Sequence, residues 1–318
     1  MPEEPLHQPH DKLFKSAFGD PATTAGFLRW EIPADLSAAI DWERLRLEPG
    51  SFVDSHFRQS ESDLLFSAPV GTSRCLIHLL FEHQLAPDPW IALRLLRYQL
   101  RIWETWRRNH PDRARLPVIL PVVLAQNAEV WHISPRFSSL LDIPDPFAKE
   151  LDGMVPDFTF RLIQLAETPF DAIRGTPAGI LTLRVMKAER LEKLLEDIVW
   201  DEPLFLRVPR EIIEMLFRYI LDADVDKAAF DRKVKTVTHP EIQNTAMTLA
   251  QQYRQEGRQE GQILARQRAV IEALEIRFGQ VPEGLREEIS RIADPPRLSA
   301  LLRAAIKAAS PEEFSRSL

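Results

Sequence analysis

Asp63 and Glu82 are the two residues whose type and placement are most apt for chemistry. Asp63 opens an apolar run, Leu64-Leu65-Phe66, and Glu82 closes a second run, Cys75 to Phe81, 19 residues on. Between the runs lies Ala-Pro-Val-Gly-Thr-Ser, with Pro69 and Gly71 as turn residues, which is a hairpin signal. In an antiparallel hairpin the start of one strand lies beside the end of the next, so the two acids meet at the open end. Gln84 is two residues past Glu82 and shares its face on a strand. Paired carboxylates with a polar neighbour at i+2 hold a hard divalent cation such as Mg²⁺ beside a phosphate.

Acids at strand ends also meet water, and spacing alone favours two solvated carboxylates. The second run shifts the balance. From Cys75 to Phe81 only His78 is polar, the pattern of a strand buried on both faces. A charge emerging from such a strand points into a place the fold has built. His83 flanks the pair and should point away from Glu82's face, with a structural and a catalytic role equally open.

The elements that must position this pair follow from the pattern. Residues 11–29 read as an amphipathic helix interrupted near Gly19-Asp20-Pro21, residues 33–46 as short helical turns, and residues 52–59 as a strand or turn. After Ala86-Pro87-Asp88-Pro89, residues 89–108 read as a helix whose buried stripe is Leu93, Leu96, Leu100 and Trp103. Arg94, Arg97, Arg101 and Arg108 form a parallel stripe. Residues 94–115 hold seven Arg against Glu104 and Asp112, a local charge of +5. That stripe is either a solvated helix face or a phosphate-contacting surface, since Arg forks match phosphate oxygens.

Residues 116–125 read as a buried strand whose two prolines imply a bulge or an edge position. Strand, helix, strand over residues 74–125 implies a parallel βαβ crossover and an α/β fold. Residues 157–166 alternate Phe158, Phe160 and Leu162 with polar neighbours, as a half-exposed final strand does. From about residue 177 the pattern is helical, over 179–199 and 211–222. Residues 241–273 are long and polar and contain Arg-Gln-Glu-Gly twice, at 254–257 and 258–261. Two glycines inside a helix cost about 1 kcal/mol each relative to Ala, so this stretch is a weak helix, a solvated linker or a packing seam.

Length and composition bound the rest. A chain of 318 residues suffices for two domains. Hydrophobic residues make up 45% and charged residues 27%, the proportions of a globular chain in water. Cys75 is the single cysteine, so no intrachain disulfide forms, and a reducing, cytoplasmic setting is expected. The acidic Met-Pro-Glu-Glu-Pro start has no apolar core and does not read as a signal peptide. No apolar run spans a bilayer, so no membrane association is expected. The net charge of −7 speaks against a dedicated nucleic-acid binder and leaves DNA contact to a local basic patch. The sequence contains no P-loop, dinucleotide turn or nucleophile elbow, and the eight His lack zinc-site spacing.

Six short pieces, in order over the first half of the chain, carry a resemblance. They are His10-Asp11-x-x-Phe14-Lys15, Ser51-Phe52-Val53-Asp54, Ser62-Asp63-Leu64-Leu65-Phe66, Glu82-His83-Gln84, Arg94-Leu95-Leu96-Arg97-Tyr98, and residues 116–121 followed by Trp131. In this series the chain resembles the Rpn family of recombination-promoting nucleases, also called YhgA-like transposases. Those proteins are placed in the PD-(D/E)XK nuclease superfamily. The resemblance implies a PD-(D/E)XK restriction-endonuclease-like core, a central mixed sheet flanked by helices, with a helical C-terminal half. It makes Asp63 and Glu82 the metal-binding acids and puts Gln84 where the superfamily usually has Lys. It brings in His10, Asp54 and His83 as accessory residues. Where the family carries Tyr-His-Gly before the Trp, this chain has Ala125-Gln126-Asn127.

On this basis residues 1–175 are a nuclease-like core and 176–250 a helical extension. Residues 251–266 are the repeat helix or linker, and 267–318 a small helical module often appended in the family. The expected activity is that of a Mg²⁺-dependent DNA endonuclease of low sequence specificity. Catalysis falls to Asp63, Glu82 and Gln84, and Arg94, Arg97 and Arg101 would lie along the DNA backbone. The alternatives are a non-cutting protein of the same fold that binds DNA or a partner chain, and a homo-oligomeric assembly formed through the C-terminal helices.

Overall fold

The computed structural model describes residues 9–48, 62–82 and 87–318, and the side chains of Ser62, Leu80, Phe81 and Glu82 fall outside that description. Two compact units result, residues 1–246 and 247–318.

The first unit begins with α1 (Pro9–Phe18) and α2 (Pro21–Glu31). The break falls where the Gly19-Asp20-Pro21 sequence predicts it. Pro21 takes the first helical position, and the Asp20 side chain accepts from the Thr23 N–H as N-cap. A short α3 (Ala34–Ala39) and a 3₁₀ turn lead to β1 (Arg46–Leu47).

The hairpin is present as β2 (Ser62–Val70) and β3 (Ser73–Glu82). Its strands run further than the turn residues suggest. Pro69 lies inside β2 opposite Arg74, and Gly71 and Thr72 alone form the loop. Gly71 has φ +57°, the left-handed backbone that a tight hairpin loop requires at its first position.

A crossover through α4 (Ile91–Asn109) returns the chain to β4 (Val118–Ala125), parallel to β3. Then α5 (Ala148–Leu151) precedes β5 (Arg161–Gln164), which pairs in parallel with β4. The sheet order is β1-β2-β3-β4-β5, antiparallel on one side of β3 and parallel on the other. The fold is α/β with a mixed sheet. Pro121 is accommodated because β5 pairs only Val122 to Ala125, which leaves β4 an edge from Val118 to Pro121.

On one face of the sheet, α4 buries Ile91, Ala92, Leu95 and Ile102 against Leu65, Leu76, Ile119, Val123 and Ala125. This corrects half of the expected stripe. Leu93 and Leu100 are exposed at 41% and 50%, Leu96 and Trp103 are partly buried against the core, and Tyr98 and Gln99 are buried as well. The residues at steps of three and four formed two candidate faces, and the sheet selected the one with a polar member.

The other helices of this unit are α6 (Pro177–Arg190), α7 (Glu202–Phe205), α8 (Arg210–Asp222) and α9 (Lys227–Thr236). α1 packs against β2, α6 and α8, so residues past 176 form part of the body that holds the sheet. Leu13, Phe14 and Phe18 of α1 and Leu216, Phe217 and Ile220 of α8 are fully buried.

A 39-residue helix, α10 (Pro240–Phe278), carries the boundary between the units. The Arg-Gln-Glu-Gly repeat lies within it, and a Cβ built on Gly257 or Gly261 meets nothing within 4 Å. The second unit adds α11 (Glu283–Ser290), α12 (Pro295–Lys307) and α13 (Pro311–Ser315). It has its own core, in which Val270, Leu274, Ile289, Leu298, Leu301 and Phe314 are buried together.

Candidate functional site

β2 positions Asp63 and β3 positions Glu82. The register sets Asp63 opposite Leu80, and Glu82 is two residues beyond Leu80. Residues facing each other across a ladder share a face, and so do residues two apart on a strand. Asp63, His78 and Glu82 therefore occupy positions on one face of the sheet, the face that α4 covers. Glu82 is the last residue of β3 and pairs with Ala125, the last of β4. The acid positions thus sit where the central strands end, the usual place for a site in an open α/β sheet.

Asp63 is not a solvated surface acid. Its side chain is 5% exposed, and that of His78 is 1% exposed. Asp63 Oδ1 lies 3.5 Å from His78 Nε2. Neither atom has a hydrogen-bond partner among the described residues, and the same holds for His78 Nδ1. The His78 ring meets Tyr98 of α4 edge-on, with centroids 5.1 Å apart. A buried carboxylate oxygen without a formed hydrogen bond is costly, and a nearby positive charge compensates it. That is the observation by which a cation fits here. Among the described residues no group of three or more His, Cys, Asp or Glu side chains forms a metal cluster. Asp63 and His78 make two, and the Glu82 side chain lies outside the described ones.

Asp54, His83 and Gln84 lie outside the described residues. Arg94 is engaged in an ion pair with Asp88, 2.9 Å from its carboxylate. Arg97 is exposed and Arg101 half-buried on α4.

His10 belongs to a separate polar network. Its Nδ1 lies 2.5 Å from the Tyr219 hydroxyl of α8. Gln126 Nε2 donates to the same hydroxyl at 3.2 Å and to the Met186 carbonyl at 2.8 Å. With its oxygen accepting from Gln126, the hydroxyl has its proton to give to His10. Burial holds the Tyr219 hydroxyl well above the usual phenol range, and the charge of Glu189 adds to this. Burial likewise raises Glu189, against the lowering effect of its neighbour Arg190. Gln126 directly follows Ala125, the partner of Glu82, so this network braces the strand ends beside the acid positions from the other side of the sheet.

Sequence reasoning missed Tyr219 and noted Gln126 only as a departure from the family pattern. The available signal was a hydroxyl-bearing ring amid the apolar stripe Leu216, Phe217 and Ile220, since buried Tyr hydroxyls find partners. An open cleft of about 660 Å³, lined by Arg29, Trp30 and Trp42 among others, contains none of these candidate residues. Its size does not make it the site, because no orphaned buried charge faces it.

A family model described as "putative transposase, YhgA-like" matches residues 8–201. The chain belongs to this YhgA-like family. It is 31% identical over 267 residues to the recombination-promoting nuclease RpnA of Escherichia coli K12, covering 81% of this chain and 88% of that protein. It is 29% identical over 250 residues to the recombination-promoting nuclease RpnD of Escherichia coli O157:H7, covering 76% and 93%. The inactive recombination-promoting nuclease-like protein RpnE of Escherichia coli K12 is 27% identical over 267 residues, covering 82% and 86%. No solved structure matches the chain significantly. No helix among the described residues is long and apolar enough to cross a membrane.

Proposed function

We propose that this chain is a metal-dependent DNA endonuclease with a PD-(D/E)XK-like core, and that Asp63 and Glu82 hold the divalent cation. The observation that carries the reading is the buried Asp63 side chain, whose Oδ1 makes no formed hydrogen bond among the described residues, on the same face of the sheet as the Glu82 position two residues beyond its register partner Leu80. Relatives named recombination-promoting nucleases support it. A divalent cation bound there, Mg²⁺ being the expected one, polarises a phosphate and lowers the pKa of a water. Gln84 offers an amide that orients a water by hydrogen bonds but neither carries positive charge nor accepts a proton as a neutral Lys does. Arg97 and Arg101, with Arg94 once released from Asp88, position the DNA backbone through charge.

The test is nicking of supercoiled plasmid by the purified chain with Mg²⁺ and with EDTA. The parent should cut only with Mg²⁺, and Asp63→Ala should not cut at all. Equal cutting by the variant would move the activity elsewhere. Replacing Arg94, Arg97 and Arg101 by Gln should flatten the salt dependence of duplex affinity by up to about three phosphate contacts' worth of counterion release. Equal slopes would make the stripe a solvated face.

A second reading is a non-cutting protein of the same fold that binds DNA or a partner chain. Gln84 in place of Lys favours it, and so does a relative named as inactive. Duplex binding without Mg²⁺-dependent nicking would decide for it.

A further inference from the structure

We infer that His78 is the positioning residue of Asp63: its Nε2–H holds Oδ1 from the buried side and turns the other carboxylate oxygen toward the cation. The inference rests on the metal reading of Asp63 and adds to it a residue that the spacing of acids does not reveal.

The geometry comes from the ladder. His78 lies opposite Leu65 and Asp63 opposite Leu80, so the two are diagonal neighbours on the same face. Such pairs are roughly 7–8 Å apart along the backbone, within the reach of an imidazole and a carboxylate that lean toward each other. They do lean: Nε2 and Oδ1 are 3.5 Å apart in a place where both side chains are almost fully buried. Of the two ring nitrogens, Nε2 alone has an acceptor in view among the described residues. A neutral imidazole carries one N–H, and here it is best placed on Nε2. The contact is longer than a formed hydrogen bond, and a closing movement of about 0.6 Å completes it.

Two further features argue against a purely packing role. The ring is 1% exposed and packs edge-on against Tyr98, which limits its freedom to swing away from the carboxylate. An aliphatic or phenyl group would fill the same space between β3 and α4 without leaving a ring nitrogen, Nδ1, unpartnered in the core. A residue that costs stability where it stands is explained by what its N–H does. Groups that orient a metal-ligating side chain in this way typically change metal affinity 10- to 100-fold when removed.

The experiment is calorimetric titration of the full-length chain with Ca²⁺ and with Mn²⁺, without DNA. His78→Phe keeps a ring against Tyr98 and removes the N–H. His78→Gln places an amide N–H near the Nε2 position. His78→Phe should bind each cation roughly 10-fold or more weakly, with no loss of thermal stability in EDTA, and His78→Gln should recover most of the affinity. Should His78→Phe fail to fold, His78→Asn takes its place, because its amide falls short of Asp63 and should lose affinity as well. Parent-like affinity in the Phe or Asn variant overturns the inference, as does a Gln variant as weak as Phe. In those outcomes the parent still binds cation and Asp63→Asn does not, so the metal reading survives. A parent that binds neither cation overturns both.

Discussion

A carboxylate and an imidazole facing each other in an apolar interior lower the stability of the fold unless something completes them. Asp63 and His78 are in that condition. The Tyr219 hydroxyl is the opposite case, satisfied on both sides by His10 and Gln126. Tyr219→Phe removes one oxygen and leaves His10 Nδ1 and the Gln126 amide short of a partner. It should cost about 1–3 kcal/mol, read as a lower urea midpoint with an unchanged slope. An unchanged midpoint would mean that water replaces the hydroxyl. The acids were legible at this scale because charge stands out against an apolar run. Tyr219 and Gln126 were not, because each is an ordinary residue until a fold brings positions 10, 126 and 219 together.

At the scale of elements, the hairpin and the βαβ crossover could be read because periodicity and turn chemistry are local. The buried face of α4 could not. Leu93 and Leu100 match the helical step as well as Ile91, Leu95 and Ile102 do, and only the sheet decides which set it covers. The start of α10 depends on a similar non-local partner. Glu202 of α7 accepts from the N–H groups of Thr238 and His239 and from the Thr238 hydroxyl, just ahead of Pro240. It serves α10 as a capping side chain serves its own helix. These donors, the Thr238 N–H first, hold the Glu202 carboxyl below the usual carboxylate range. With the folded pKa below the unfolded one, the stabilisation is present above the unfolded value and is lost as pH falls through the folded value. Glu202→Ala should therefore cost about 1 kcal/mol at neutral pH, within the usual range for a cap. The difference from the parent should shrink toward zero in acid below that range. Chemical denaturation of both proteins at the two pH values checks it, and a pH-independent gap would assign the loss to packing.

For the whole molecule, the matched family segment ends at residue 201, short of α8. The buried Leu216, Phe217, Tyr219 and Ile220 of α8 are each worth about 1.5–3 kcal/mol of burial, a sum comparable to the entire stability of a typical domain. A fragment of residues 1–201 should lack cooperative thermal unfolding and near-ultraviolet dichroism. A fragment of residues 1–246 should show both. A cooperative short fragment would mean that α6 alone suffices to cover α1. The sequence divided this region at 175 because the strand pattern ends there. Nothing local indicates that α1 needs a partner two hundred residues later.

That distance has a consequence in time. α1 leaves the ribosome well before α8, and the Tyr219 that bonds its His10 lies 209 residues behind it. At the usual pace of bacterial and eukaryotic translation this is a wait on the order of 10–40 s. For that interval Leu13, Phe14 and Phe18 have no α8 to cover them, and the strand ends that carry the acid positions lack the brace on one side. On the nuclease reading proposed above, the acid positions of the chain would gain their full support only once this clasp has closed. The same interval makes its nascent form a client for whatever shields exposed apolar helices during synthesis.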